Sequence, residues 1–231
     1  MATRFFLPST GGPLNNITPA FGAWDETANA GARLACVTTK ISSAMTSVTV
    51  AKGTGTTRAL VRQYISAPIA AQTIGAGTVK GQVRALESAV NDNLDLVPLL
   101  IRVCSGDGST YRSPDIISLG DYAAVLEFGT TLTNRIIADG DATSSVTAQD
   151  GDRIVIEIGI KNSTTGTSVS GDLNFGDNSG TDLLENTTDT AANNPWVELS
   201  QTITFQTVQL KWQPQTGKPP HYLRSHKMIG Y

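Results

Sequence analysis

The sequence predicts an all-β protein, an antiparallel two-sheet β-sandwich with jelly-roll-like topology and extended arms at both ends. Three observations carry this expectation. Hydrophobic residues alternate with polar ones along several short runs, the period-two signature of a half-buried strand. Clusters of Gly, Asp and Ser punctuate those runs at short intervals. Charged residues are only 16% of the 231 residues, while Ser and Thr together make about a fifth. That balance favours strands and turns over helices.

The strand signals follow in chain order. Weaker candidates lie at 33–39, 45–51 and 58–65. Val79, Gly81, Val83 and Ala85 alternate with Lys80, Gln82 and Arg84. Leu99, Ile101 and Val103 form the next run. Two further weak runs are 122–128 and 168–175. Between them Ile154, Ile156, Ile158 and Ile160 alternate with Arg153, Val155, Glu157, Gly159 and Lys161, the strongest strand signal in the chain. Val197, Leu199, Gln201, Ile203 and Phe205 alternate with Trp196, Glu198, Ser200, Thr202 and Thr204 in the last run. Gly53-Thr54-Gly55, Ser105–Ser109, Asp139-Gly140-Asp141 and Asp150-Gly151-Asp152 read as turns. Residues 86–96 suit a short helix or an irregular loop. About ten strands in one core-sized segment call for two packed sheets. No internal repeat points to a propeller or solenoid.

Composition divides the chain into three zones: an N-terminal extended arm at 1–32, a sandwich domain at 33–206, and a basic arm at 207–231. The last zone carries Lys211, Lys218, Arg224 and Lys227 without an acid, and Pro214, Pro219 and Pro220 forbid a continuous helix there. Apolar residues in the arms are candidate subunit contacts: Phe5, Phe6 and Leu7 at one end, and Trp212, Tyr222, Leu223 and Tyr231 at the other. Other copies of the same chain are therefore the expected partners, with a trimer as the working order.

The N-terminus has no long apolar stretch and reads as lacking a secretory signal. No run of apolar residues is long enough to span a membrane. The formal charge of −3 argues against nucleic-acid binding through the overall field. Cys36 and Cys104 read as buried reduced thiols.

Catalytic chemistry finds little footing. His221 and His226 are the only histidines, both in the basic arm, and their spacing suits no zinc site. No Gly-x-Ser-x-Gly elbow or phosphate loop occurs. Glu157 and Glu198 fall on the polar faces of their alternations and are expected to face solvent. The 14 aromatic residues are few for a sugar-hydrolysing groove, and Trp196 reads as closing a sandwich edge. The stretch from Asp139 to Asp189 holds ten acids and two bases. It reads as solvated loops. Asp172, Asp177 and Asp182 form a weaker calcium candidate that lacks calcium-loop spacing. No enzyme activity, cofactor or metal is expected.

Several stretches resemble a family. Arg4-Phe5-Phe6-Leu7-Pro8-Ser9, Leu34-Ala35-Cys36-Val37-Thr38-Thr39-Lys40, Arg62-Gln63-Tyr64-Ile65-Ser66-Ala67-Pro68-Ile69-Ala70, Gly151-Asp152-Arg153-Ile154 and Asn194-Pro195-Trp196-Val197-Glu198 look like β-sandwich virion proteins encoded by tailed bacteriophages. The likeness runs to about residue 205 and brings no catalytic or binding residues. It implies a virion structural protein made in the host cytoplasm. A multimeric capsid-decorating protein is the leading expectation, with other virion proteins as partners. The alternative is a tail-fibre or receptor-binding module recognising host-surface glycan.

Overall fold

The computed structural model describes residues 1–10, 14, 16–27, 33–40, 44–122, 127–163, 168–176, 182–188 and 195–206. Among these residues the regular structure is all β. The strands are β1 (Thr3–Phe6), β2 (Leu34–Ala35), β3 (Thr46–Lys52), β4 (Arg58–Ile65), β5 (Gln72–Ile74), β6 (Gly77–Glu87) and β7 (Leu99–Cys104). They continue with β8 (Ile117–Gly120), β9 (Thr133–Thr143), β10 (Val146–Ala148), β11 (Arg153–Lys161), β12 (Val169–Phe175) and β13 (Trp196–Leu199).

The first sheet is organised around β6, the spine between two sets of neighbours. On one side it pairs with β9. On the other, β13 takes its N-terminal half, Val79–Gln82, and β12 its C-terminal half, Arg84–Glu87. β1 extends the sheet from β13, and β3 extends it from β12. The second sheet runs β2-β4-β11-β7-β8, with β2 parallel to β4 and the other pairs antiparallel. β5 and β10 make a separate two-stranded ribbon.

The sheets pack face to face through one continuous apolar core. Val79, Val83 and Leu173 of the first sheet meet Val61, Ile101, Ile156 and Ile158 of the second. Tyr64 and Phe175 join the layers, with ring centroids 5.6 Å apart. The Tyr64 hydroxyl is too buried to go unbonded, and it donates to the Pro8 carbonyl at 3.1 Å.

The alternation at 79–85, 99–104 and 154–160 locates β6, β7 and β11. The weaker runs locate β2, β3, β4 and β12. The run at 122–128 contributes only a bridge from Tyr122 to Ala138 among the described residues. Residues 86–96 form the end of β6 and turns, with no helix.

The expected turn at Asp139-Gly140-Asp141 is instead a bulge inside β9. Val79 faces Asp141 and Lys80 faces Asp139, which leaves Gly140 as the extra residue at φ +87°. A glycine accepts that left-handed conformation without a Cβ clash. This is why β9 escapes a reading that treats Gly-Asp clusters as strand breaks.

The N-terminal arm expected at 1–32 is also corrected. β1 is a strand of the sandwich. Phe5 and Leu7 are buried in the chain's own core rather than carried on a free arm. Phe6 is half-buried, and its backbone bridges to Val37. The short apolar run pairs along β13 because that buries Phe5 while completing the backbone hydrogen bonds of both strands.

Gly159 fits a close approach between β11 and the segment outside it. A Cβ there would lie 2.2 Å from Trp24 Cζ3 and 2.3 Å from the Ala59 carbonyl oxygen. Replacing Gly159 with Ala is expected to cost about 1–3 kcal/mol by overpacking. Equilibrium urea unfolding against the parent chain measures this; unchanged stability would contradict the close packing.

Candidate functional site

β11 has two buried faces. Its isoleucines enter the core, while Val155 and Glu157 point outward and are covered by residues 14 and 16–26. Leu14 and Ile17 pack with Ile65, Cys104, Val155 and Tyr111. Phe21 and Trp24 pack with Leu60 and Leu119. The segment is a strap across the outer face of the second sheet.

Glu157 fastens that strap. Its side chain is 0% exposed, so the expected solvent-facing role is wrong. One carboxylate oxygen accepts from the Gly22 amide at 2.9 Å and from Trp24 Nε1 at 2.5 Å. The other accepts from Gln63 Nε2 at 2.8 Å and Arg102 Nη2 at 2.9 Å. Four donors replace the hydration that burial removes. Arg102 also reaches the Ala20 carbonyl at 2.9 Å and stacks 3.6 Å over the Tyr111 ring. Tyr111 donates to the same Ala20 carbonyl. Burial pushes the Tyr111 hydroxyl's pKa upward, so it stays a donor. Arg33 bonds Gln63 at 2.9 Å and the Pro19 carbonyl at 3.2 Å, and it covers Phe21.

At the strap's end, the Glu26 backbone pairs with Arg58 and Leu60 of β4. Its carboxylate accepts from the Gly53 amide at 2.8 Å and from the Thr57 hydroxyl at 2.5 Å. These contacts tie the strap to the β3–β4 turn. Below the sheet, Arg112 grips Asp152 with two bonds of 2.8 Å, and the Gln149 amide adds a third at 2.8 Å. Burial pushes the Asp152 carboxyl up, but the Arg112 and Gln149 bonds outweigh it and hold the group below the ordinary aspartate range.

A second strap lies on the first sheet. Asn134 Nδ2 donates to the Leu183 carbonyl at 3.1 Å. Arg135 pairs with Glu185 at 3.0 Å and donates to Asn186 Oδ1 at 2.8 Å. Asp182 pairs with Arg4 at 2.6 Å, and Arg4 also bonds Glu198 at 2.9 Å and covers the Trp196 ring at 3.8 Å. Glu198 is thus half-buried and ion-paired rather than free in solvent.

An apolar cleft of about 390 Å³ is lined by Phe5, Cys36, Val37, Thr38, Thr39, Ser66, Ala67 and Phe205. Phe5 and Phe205 meet edge to face, with centroids 6.2 Å apart. Burial pushes the Cys36 thiol up to about 12, so it stays neutral at ordinary pH. Cys36 and Cys104 are both free and buried. The Ser66 hydroxyl donates to the Ala67 carbonyl and accepts from the Ile154 amide, which occupies it structurally. No charged side chain lines the cleft. Its chemistry suits an apolar group.

The calcium candidate does not assemble among the described residues. Asp182 faces the Arg4 cation, and Asp172 accepts from the Ser47 hydroxyl at 2.6 Å. Asp177 lies outside the described residues, as do Trp212, Tyr222, Leu223 and Tyr231. Among the described residues no three His, Cys, Asp or Glu side chains are placed to share a metal. None forms a helix long and apolar enough to cross a membrane.

The sequence reading missed the Glu157 cluster. The available signal was the outward face itself: Val155 and Gly159 flank Glu157, an apolar setting for a supposedly wet carboxylate.

No family model and no curated protein matches the chain. Among solved structures, a CocE/NonD family hydrolase from Staphylococcus aureus is 9% identical, with a TM-score of 0.45 over 88% of this chain and 36% of that one. The structure of the infectious bursal disease virus Gt strain is 14% identical, with a TM-score of 0.32 over 80% and 42% of the two chains. That of the Gx strain is 14% identical, with a TM-score of 0.28 over 79% and 40%. The chain spans less than half the length of each.

Two outcomes are expected from the clamps. Glu157→Ala leaves Arg102 without its buried counter-ion and is expected to cost about 3–5 kcal/mol in urea unfolding. Faster hydrogen exchange at the Gly22 amide should accompany it; a protected Gly22 would show that the strap holds without Glu157. Asp152 is held below its unfolded value of about 3.9, so its stabilisation is full above that range and is lost as pH falls through the folded value. Asp152→Asn should therefore be less stable than the parent at pH 7, with the gap closing toward pH 2. A pH-independent gap in unfolding free energy would contradict the assignment.

Proposed function

We propose that this chain is a non-enzymatic structural protein of a virion, a multimeric capsid-decorating protein of tailed-phage type whose C-terminal arm contacts neighbouring subunits. The observation that carries the reading is the use made of buried charge. Glu157, Asp152 and Arg135 each fasten an irregular segment or turn to the sandwich. The straps seal parts of both outer sheet faces with the chain's own residues. Such a body suits a lattice component, which has to keep its shape under load.

The likeness to tailed-phage virion proteins supports the same reading. Its stretches coincide with structural parts: β1, β2 and its exit, β4 and the loop after it, the turn before β11, and β13. With Phe5 and Leu7 packed in the sandwich, residues 207–231 are the arm that this reading assigns to reaching a neighbour.

Quantitative mass spectrometry of purified particles tests the proposal. Hundreds of copies per particle are expected for a decorating protein. A few copies to a few tens would favour the tail-fibre or receptor-binding reading, with host-surface glycan as ligand. Absence from particles would overturn the virion role.

A further inference from the structure

The apolar cleft adjoins the point where the described chain ends. Phe205 forms part of its wall and bridges to Ile69. The Ala70 amide donates to the Thr204 carbonyl, and the Gln206 amide donates to the Pro68 carbonyl, both at 2.9 Å. Residues 204–206 therefore run antiparallel to 68–70, heading toward Ala67 and Ser66 on the cleft wall. The side chains alternate as a strand requires: Ile203 is buried and Phe205 half-buried, while Thr202 and Thr204 are exposed.

The sequence changes phase at this point. From Val197 through Phe205 the odd-numbered residues are apolar apart from Gln201. From Thr207 onward the odd positions are Thr207, Gln209 and Lys211, and the apolar residues are Val208, Leu210 and Trp212. A strand continued past Gln206 in the same alternation turns its polar side to its own sandwich and its apolar side away. Val208, Leu210 and Trp212 share one face of that alternation, and three large apolar side chains together call for a cover. Each copy also has an apolar cleft with no charged lining residue beside the root of this segment. Six residues extend about 20 Å, enough to cross to an adjoining molecule. Because the segment's root and the cleft are neighbours, two copies can satisfy each other by one symmetric exchange.

We propose that residues 207–212 of one copy dock Val208, Leu210 and Trp212 into the cleft of a second copy lined by Phe5, Cys36, Val37, Ala67 and Phe205. This rests on the reading of the chain as a self-assembling structural protein and gives that assembly its contact. Residues 213–231, with Pro214, Pro219, Pro220 and the cations Lys218, Arg224 and Lys227, then lie beyond the docked strand.

Cys36 reports on the cleft. The measurement is its rate of modification by a maleimide in the native chain, resolved from Cys104 by peptide mass. A chain truncated after Gln206 should react at Cys36 roughly tenfold faster than the full chain at high concentration, with Cys104 unchanged. Adding excess full-length chain should protect Cys36 of the truncated chain, because the docking segment comes from another molecule. Full-length Leu210→Asp should fail to give that protection. Full-length chains that protect their own Cys36 at every concentration, yet never that of the truncated chain, would overturn the exchange in favour of self-docking. Equal rates in both chains would overturn docking altogether. Counting Leu210→Asp and parent chains in particles separates the two readings. A variant incorporated like the parent removes the exchange and leaves the virion role standing, while a parent absent from particles removes the role itself.

Discussion

The carboxylate of Glu157 is the constraint around which one half of the molecule is arranged. A charge on a central strand with no access to water has to be met by donors from every side. Two come from neighbouring strands, Gln63 on β4 and Arg102 on β7. The other two come from Gly22 and Trp24, which belong to no sheet. The strap is therefore not merely laid on an apolar surface. Its backbone and indole complete the solvation of a buried anion, and this fixes its register on the sheet. Gly159 belongs to the same arrangement, because its missing side chain is the space the Trp24 ring occupies.

The first sheet follows a comparable logic with the signs reversed. Arg135 is the buried charge, and Glu185 and Asn186 come from an irregular segment to meet it. Arg4 then draws Asp182 and Glu198 together across the face of Trp196. Asp182, read from the sequence as a cation ligand, is the counter-ion of Arg4. Within the acid-rich stretch, Asp152, Glu157, Asp182 and Glu185 meet guanidinium groups, and Asp172 meets the Ser47 hydroxyl.

These clamps bear on function through what they leave open. Sheet faces covered by the chain's own straps have less surface to offer partners. The neutral cleft beside Phe205 is one feature that the straps leave open. The cleft sits at one corner of the sandwich, where β1, the exit of β2 and the end of β4 converge.

The sequence by itself determined the strand-forming segments whose inner faces are apolar. Ile154 through Ile160 could only be a strand, since period-two hydrophobicity arises from backbone geometry that is local. It also determined the turns at Ser105–Ser109 and Asp150–Asp152, where Gly108 and Gly151 take positive φ. Tertiary structure alone decided whether the outward faces are wet. Glu157 reads as exposed because its neighbours along the chain alternate; it is buried because a segment more than a hundred residues earlier lies over it. The same holds for Phe5 and Leu7, which look like free anchors until β1 finds β13 at the other end of the described chain. Gly140 looks like a turn until β6 supplies the ladder in which it is a bulge. Periodicity records which side chains share a face. What covers that face depends on contacts between residues far apart in the chain, and no local pattern encodes them.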